Sequence, residues 1–443
     1  MRPNVCLFEA LASAFVAGDP TVDGIVARSA RMLGRDWRWL RPLAQRYVET
    51  FAGRVRPRRS DAVDFLRGDK RFRRICQRIP SHIGIAHWLT QSQRMLPMAA
   101  AKGWRVPSIE SVSALADWLG TDENYVEWFA DLKALSCKSD HNKLRHYHYR
   151  VLLKDSGDVR LIEAPKQSLK RLQQRILTGI LNGIPAHPAT HGFVTGRSIK
   201  TFAAPHAGKR IVLRIDLRNF FPSFRAARIE AFFRTMGYPE TVAAMLAGIC
   251  TNATPRDIWH NVKPGGGPVQ FWETRSLYAR PHLPQGAPTS PAIANLCCYR
   301  LDCRLAGLAR SAGAVYTRYA DDLAFSGSKS FEKSVERFSI HVAAIALEEG
   351  FSVNHHKTRI MRQGVRQRLA GVVVNQHPNV LRHTFDRLKA TLTNCVRYGP
   401  SSQNRERHIN FRAHLEGRIS FVEMLNRNKG SRLRKLFGQI RWE

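Results

Sequence analysis

Acidic residues are scarce in this chain: 35 Asp and Glu stand against 70 Lys and Arg in 443 residues, a net charge of +35. An imbalance of that size implies a polyanionic partner, bound with a steep dependence on salt. The shortage runs the whole length, since residues 1–135 hold 21 basic and 14 acidic side chains and the last 68 hold 14 and 5. Cysteine is also sparse. The eight present show no CxxC spacing, which argues against a disulfide framework or a zinc ribbon and fits reduced thiols in the cytoplasm. Cys297, Cys298 and Cys303 fall in a helical pattern and read as small core residues. No apolar run approaches the roughly 18 residues of a membrane span. The nearest imitation of a leader, Cys6 to Gly18, is interrupted by Glu9 and preceded by Arg2 alone, so it reads as an amphipathic helix. Gly265-Gly266-Gly267 is followed by no Gly-Lys-Ser or Gly-Lys-Thr, which excludes a phosphate loop there. Internal repeats and low-complexity tracts are absent. What remains is 44% apolar, enough for a catalytic domain of usual size and a second unit.

The most informative stretch runs from Tyr316 to Ser326, where two strand-prone runs meet at Asp321-Asp322. That pattern predicts a β-hairpin with carboxylates at its tip. Adjacent strand residues point to opposite faces, so at a tight turn one carboxylate reaches a site while its neighbour leans away or bridges. A third acid, Asp216, ends the basic-flanked strand Arg210 to Ile215 and leads into Phe220-Phe221-Pro222-Ser223. Oxygen ligands from two strands suit magnesium, which binds few carboxylates and completes its shell with water and phosphate. This is the outline of two-metal phosphoryl transfer. An Asp-Asp pair by itself is equally a solvated turn.

In chain order, residues 1 to about 135 read as helical, with Trp37, Leu40, Leu43, Tyr47 and Phe51 at helical spacing. Between Arg54 and Arg78, ten Lys or Arg face three Asp and alternate with Phe65, Leu66, Phe72 and Ile75, which is either an RNA-facing helix or a solvated one. Thr121-Asp122-Glu123 caps an expected helix from Tyr125 to Leu135. Two strands, Tyr149 to Lys154 and Val159 to Ile162, flank a Gly-containing turn with Lys154 and Arg160 on either side. Residues 252 to 283 read as a loop-rich insertion outside any core. Leu283-Pro284-Gln285-Gly286-Ala287-Pro288-Thr289-Ser290-Pro291 leads into an expected helix from Pro291 to Arg310, and Ser330 to Glu349 is another. The last 68 residues predict basic helices over Leu381 to Tyr398, Arg405 to Leu425 and Leu433 to Ile440.

Tyr-Ala-Asp-Asp between apolar strands, preceded in order by the Asp216 strand and the Leu283 to Pro291 block, resembles the reverse transcriptases. The likeness extends from about Tyr149 to Asn375 and is greatest to the retron and retron-like bacterial enzymes. It implies an α+β right-hand polymerase: fingers and palm over residues 136–375, with an Asp-bearing antiparallel sheet, a basic helical thumb over 376–443, and an α-helical N-terminal extension over 1–135. It further implies that Asp216, Asp321 and Asp322 hold two Mg2+ ions, replaceable by Mn2+. Lys154 and Arg160 would grip the incoming triphosphate on a mobile hairpin. Phe221 would lie under the sugar and reject a 2′-hydroxyl. Gln285 and Gly286 would face the nascent base pair, and Lys357 would protonate the leaving pyrophosphate. The implied activity is RNA-directed DNA polymerisation by nucleotidyl transfer, copying a cognate noncoding RNA that serves as template and primer into cDNA from dNTPs. An effector protein and antiphage defence accompany that reading. Two elements depart from the retron pattern. Where those enzymes carry Asn-Ala-x-x-His this chain has Phe202-Ala203-Ala204-Pro205-His206, and of Val-Thr-Gly only Gly371 is kept. The alternatives are an abortive-infection-type enzyme making untemplated DNA, or an RNA-binding protein without catalysis.

Overall fold

The computed structural model describes residues 3–18, 20–52, 57–78, 83–87, 95, 97–138, 143–153, 159–260, 262 and 268–442. The chain forms two compact units that do not follow chain order: residues 1–185 with 224–293, and residues 186–223 with 294–443.

The first unit begins with five helices, Pro3–Val16, Val22–Leu33, Leu40–Thr50, Arg59–Gly68 and Lys70–Arg78. Their apolar stripes close a core of their own around Leu11, Phe15, Ile25, Leu43, Tyr47, Leu66 and Phe72. Phe15 and Phe65 both meet the Tyr47 ring edge-on, at 4.9 and 5.3 Å between centroids. On the last of these helices Phe72 and Cys76 are buried while Lys70, Arg71, Arg73 and Arg74 are exposed, so the basic run is amphipathic as its spacing requires. Further on, Ser111 caps Val112–Leu119, and Asp122 caps Glu123–Ala130 by accepting from the Tyr125 amide at 2.8 Å. That second helix stops five residues short of the expected Leu135, because Asp131 adopts φ 40° and its carboxylate accepts from the amides of Leu135 and Ser136. Strands β1 (Tyr147–Leu153) and β2 (Val159–Pro165) form an antiparallel hairpin with Leu153 opposite Val159.

Within residues 252–283 the described part is more ordered than its sequence suggests, while Asn261 and Lys263 to Gly267 lie outside the described residues. A 3-10 turn at Arg256–Trp259 and a helix at Pro268–Tyr278 put Trp259 and Tyr278 into a small core with Val159 and Leu161 of β2. The expectation of a segment outside the core is therefore corrected, since two aromatic side chains bury enough apolar area to fix it.

The second unit is built on a five-stranded antiparallel sheet. Its central strand β3 (Ile211–Arg218) pairs on one side with β5 (Asp322–Gly327), which in turn pairs with β4 (Val315–Tyr319). On its other side β3 pairs with β6 (Ser352–Val353) and β7 (Arg359–Arg362). A central strand covered on both faces reads as an apolar run. In β3 only Arg214, Asp216 and the terminal Arg218 interrupt it. Helix Lys329–Glu348 packs on the sheet through Phe331, Phe338 and Val342, with Phe338 edge-on to Phe325 at 5.1 Å. The helix expected from Pro291 to Arg310 is two helices, Ser290–Cys297 and Tyr299–Ser311, interrupted at Cys298. Strands β8 (Arg368–Leu369) and β9 (Val372–Val373) form a separate ribbon.

Three helices, Arg382–Tyr398, Phe411–Leu425 and Arg427–Gly438, end the chain. The second starts at an Asn410 cap rather than at Arg405, and the third lies earlier than Leu433 to Ile440. Leu388, Leu392, Leu415, Ile419 and Leu433 join Phe202, Val372 and Val374 in one core. No disulfide and no helix long and apolar enough to cross a membrane occurs among the described residues.

Candidate active site

The hairpin forms where the sequence places it. β4 ends at Tyr319, Ala320 turns the chain with φ 54°, and β5 starts at Asp322, which pairs directly with Asp216 of β3. Register therefore puts these two carboxylates side by side on one face of the sheet. The Leu217 amide donates to the Asp321 carbonyl at 3.0 Å, carrying the β3 pairing into the turn. Gly192 closes over the same turn: a Cβ there would lie 2.9 Å from the Ala320 nitrogen, so no other residue fits without a shift.

Each acid has its own electrostatic setting. Asp216 is 4% exposed, and its carboxylate accepts from the Asn354 side-chain amide at 3.2 Å and from Lys357 Nζ at 3.2 Å. The Asn354 backbone amide donates to the Asp216 carbonyl at 2.7 Å, which fixes the donor loop against the strand. Asp322 Oδ1 accepts from Arg214 Nε at 2.8 Å and Nη2 at 2.7 Å. Burial raises the Asp322 carboxyl above its ordinary range despite that arginine. Asp321 is pushed up to about 6, first by burial and then by the charges of Asp322 and Asp216, with Lys357 opposing.

A cation would relieve this crowding of negative charge. Among the described residues no three His, Cys, Asp or Glu side chains close into a ready-made metal cage. A magnesium site does not need one, because substrate phosphates and water complete its shell. The residues present fit such an ion: two adjoining carboxylates in register, a third in the turn, and a charge repulsion that metal would cancel.

Beneath the turn lies a polar network that the sequence did not reveal. Arg318, fully buried, donates from Nε and Nη2 to the two oxygens of Asp302 at 2.8 and 2.7 Å. It also donates to Asn295 Oδ1 at 3.0 Å, to Thr190 Oγ1 at 3.0 Å and to the Ala320 carbonyl at 3.2 Å. The Tyr316 hydroxyl donates to Asp302 at 2.7 Å, and Asn295 donates onward to the Gly192 carbonyl at 2.7 Å. Burial opposes the arginine's charge, yet Asp302 holds it above the ordinary arginine value. The network thus ties β4, the Ala320 carbonyl of the acid-bearing turn and the Thr190 to Gly192 segment to Asn295 and to Asp302 of the Tyr299–Ser311 helix.

Phe220 is buried and stacks on Phe351 at 5.8 Å, whereas Phe221, the next residue, stays partly exposed. Phe220 is core, and Phe221 packs edge-on against it at 5.5 Å while remaining partly accessible. His206 is the structural histidine its context suggested: fully buried, bonded to Ser326 and Thr317 hydroxyls at 2.7 Å each, and pushed down to about 3 by burial. His355 and His356 are both exposed.

Asp216, Asp321, Asp322 and Lys357 are thus brought together in the second unit, which also holds Phe221. Arg160, Gln285 and Gly286 belong to the first unit, and Lys154 lies outside the described residues. In that unit the Glu163 amide donates to the Gln285 carbonyl at 2.9 Å, stitching the Gln285-Gly286 turn to β2. Gly286 has φ 136°, and a Cβ on it would approach the Glu163 carbonyl to 2.8 Å, so glycine is required twice over. The Glu163 side chain is wholly buried and accepts from Asn252 at 2.7 Å and Thr254 at 2.9 Å, with His282 Nε2 at 2.9 Å. The alternation of β2 could have found it, since Val159, Leu161, Glu163 and Pro165 share the buried face.

Comparison with known proteins agrees with this geometry. Residues 152–390 match the family model described as reverse transcriptase (RNA-dependent DNA polymerase). The chain is similar to the retron Mx65 reverse transcriptase of Myxococcus xanthus, 43% identical over 306 residues, or 68% of this chain and 66% of that protein. It is 35% identical over 338 residues to the retron Mx162 reverse transcriptase of the same organism, covering 73% and 65% of the two chains. With the retron Ec86 reverse transcriptase of Escherichia coli it shares 31% identity over 276 residues, 62% of this chain and 74% of that one. The chain therefore spans just under two thirds of the two Myxococcus relatives.

Proposed function

This chain belongs to the reverse transcriptase family, and we propose that it copies a partner noncoding RNA into DNA at the Asp216, Asp321 and Asp322 carboxylates. The single observation that carries the reading is the pairing of Asp216 with Asp322 across β3 and β5, beside the turn that bears Asp321. In this reading the five-stranded sheet is the palm, residues 376–443 are the thumb and the β1–β2 hairpin belongs to the fingers.

Asp216, Asp321 and Asp322 would hold two Mg2+ ions. When bound, these supply Lewis-acid activation of a primer hydroxyl and neutralise the charge of the leaving pyrophosphate. The chain's own groups do the rest. Arg214 and Lys357 are cations already seated on Asp322 and Asp216, so they offset the carboxylates' mutual repulsion before any substrate arrives. Lys357 is half exposed, which leaves its ammonium free to swing to a pyrophosphate oxygen and give up a proton. Phe221, partly accessible beside the buried Phe220, would exclude a ribose 2′-hydroxyl by its bulk. Arg160 on β2, with Lys154, would draw in the triphosphate, and the Gln285-Gly286 turn would lie against the new base pair, held rigid through Glu163.

The excess of 70 basic over 35 acidic residues supports an RNA partner gripped by its backbone. The likeness to retron enzymes supports a single cognate RNA as template and primer, and a role in defence against phage. Purifying the protein from cells that carry its native locus and sequencing the bound nucleic acid, with and without RNase, tests this. One discrete DNA joined to one local RNA is expected; heterogeneous DNA, or RNA alone, would overturn it.

A further inference from the structure

A recess of about 450 Å3 opens between the Arg382–Tyr398 helix and the start of the Phe411–Leu425 helix, away from the three aspartates in sequence and on different elements. Its size falls within the roughly 300–1,000 Å3 of small-molecule sites. Three arginines line it, Arg387, Arg405 and Arg418, and none of them is paired with a carboxylate among the described residues. The one acid at the rim, Glu406, is already engaged by His408 Nε2 at 3.2 Å. Three arginines against that single acid leave the recess with an excess of positive charge.

Its wall is not that of a surface made only to grip phosphates. His408 and His414 stack at 3.9 Å with 18° between their planes, and the Phe411 ring lies within 11° of parallel to both. Three nearly parallel rings beside arginines, two of them face to face, form an aromatic stack of the kind that an unstacked base extends. Burial holds His414 below the ordinary imidazole range, with His408 and Arg418 adding to the effect, which favours the neutral ring. Two amides complete the lining. Asn394 Nδ2 donates weakly to Gln403 Oε1 at 3.4 Å, leaving the Asn394 carbonyl and one Gln403 N–H for a base edge. A duplex held by its backbone presents phosphates on a convex surface and has no use for rings and amides inside a recess.

We propose that this recess is a binding site for one unpaired nucleotide of RNA, its base extending the His408–His414 stack beside Phe411 and its phosphate held by Arg387, Arg405 and Arg418. The proposal rests on the reading of the chain as a reverse transcriptase with an RNA partner, and gives that partner a sequence-dependent contact in addition to the backbone grip.

The test uses the full chain and an RNA hairpin of about 20 nucleotides whose loop carries 2-aminopurine at each position in turn. With wild type, fluorescence at one loop position is expected to be quenched on binding, as stacking requires. R405Q, in an exposed loop where folding is not at stake, and R405Q/H414A should weaken binding by about tenfold and abolish the quench, a loss in keeping with ~1–3 kcal/mol per stacked base. R397Q, on the Arg382–Tyr398 helix but outside the recess, makes the same change of charge and should cost no more than about twofold. Equal losses in R405Q and R397Q, a quench that survives R405Q/H414A, or an affinity unchanged when the quenched base is replaced by an abasic site would overturn the site. Extension of oligo(dT) on poly(rA) is run beside it: extension without any quench sinks the recess alone, whereas a quench without extension upholds the recess and sinks the polymerase reading.

Discussion

Asp302→Asn removes the charge that compensates Arg318 while keeping the size and shape of the side chain. Arg318 is fully buried and has no water to turn to, and its two bonds to Asp302, at 2.8 and 2.7 Å, account for most of its charge balance. Breaking one partner of such a pair typically costs about 3–5 kcal/mol, because an uncompensated charge is left in a poorly polarisable interior. The Tyr316 hydroxyl loses an ionised acceptor at the same time. At about 2–4 °C per kcal/mol for a domain of 150–250 residues, the melting temperature should fall by roughly 6–20 °C. Asp23→Asn is the matched control. Asp23 pairs with Arg41 at 2.7 Å, but the two side chains are 81% and 65% exposed, so the change should stay within about 0.5 kcal/mol. Denaturant unfolding of wild type and both variants decides the matter, with turnover measured alongside, since the same arginine holds the Ala320 carbonyl of the acid-bearing turn. A loss below about 1 kcal/mol in Asp302→Asn would show that the buried network does not fix the turn, and the reasoning fails.

Three further outcomes are expected. Phe221→Ala should raise ribonucleotide incorporation relative to deoxyribonucleotide by about 10–200-fold, the range that one removed steric contact allows; unchanged selectivity would remove Phe221 from the sugar site. Asp321 has a folded carboxyl value of about 6, above its unfolded one, so folding binds a proton between about pH 4 and 6 and the stability of metal-free protein falls as pH rises through that window, by on the order of 3 kcal/mol. The wild-type curve measured in chelator should carry this slope and that of Asp321→Asn should lack it; by the same titration Mg2+ affinity should weaken up to tenfold per unit below pH 6. Glu163→Ala leaves the Asn252 and Thr254 donors without their acceptor and should cost about 1–3 kcal/mol. It should also raise the KM for dNTP more than it lowers kcat if the Gln285 turn is held through β2, and an unchanged KM would count against that role.

The hairpin and the Asp216 strand were legible because alternation, a run of apolar residues and two adjacent acids all point to one local structure. Arg214 and Asn354 were not, since what makes them matter is register: Arg214 sits two residues before Asp216 on the same face of β3, and Asn354 reaches that strand from 138 positions away. The Arg318 network escaped for the same reason, joining Thr190, Asn295 and Asp302 over as many as 128 positions. A sequence shows which residues are polar and leaves open which of them meet. The insertion over 252–283 was misjudged because its glycines dominate the local pattern, although Pro268 standing just after them is a first-turn helix signal. Helix ends shifted where a cap chose the boundary, as at Asn410 and Asp131.

The most direct test of the central claim is single-nucleotide incorporation by Asp321→Asn on a poly(rA) template with an oligo(dT) primer, measured together with RNA affinity. Asp321 carries no phosphate-binding charge, so the account predicts incorporation reduced by about 10³-fold or more, with the dissociation constant for RNA within about threefold of wild type. Turnover that survives the substitution would contradict the assignment of the reaction to the three aspartates.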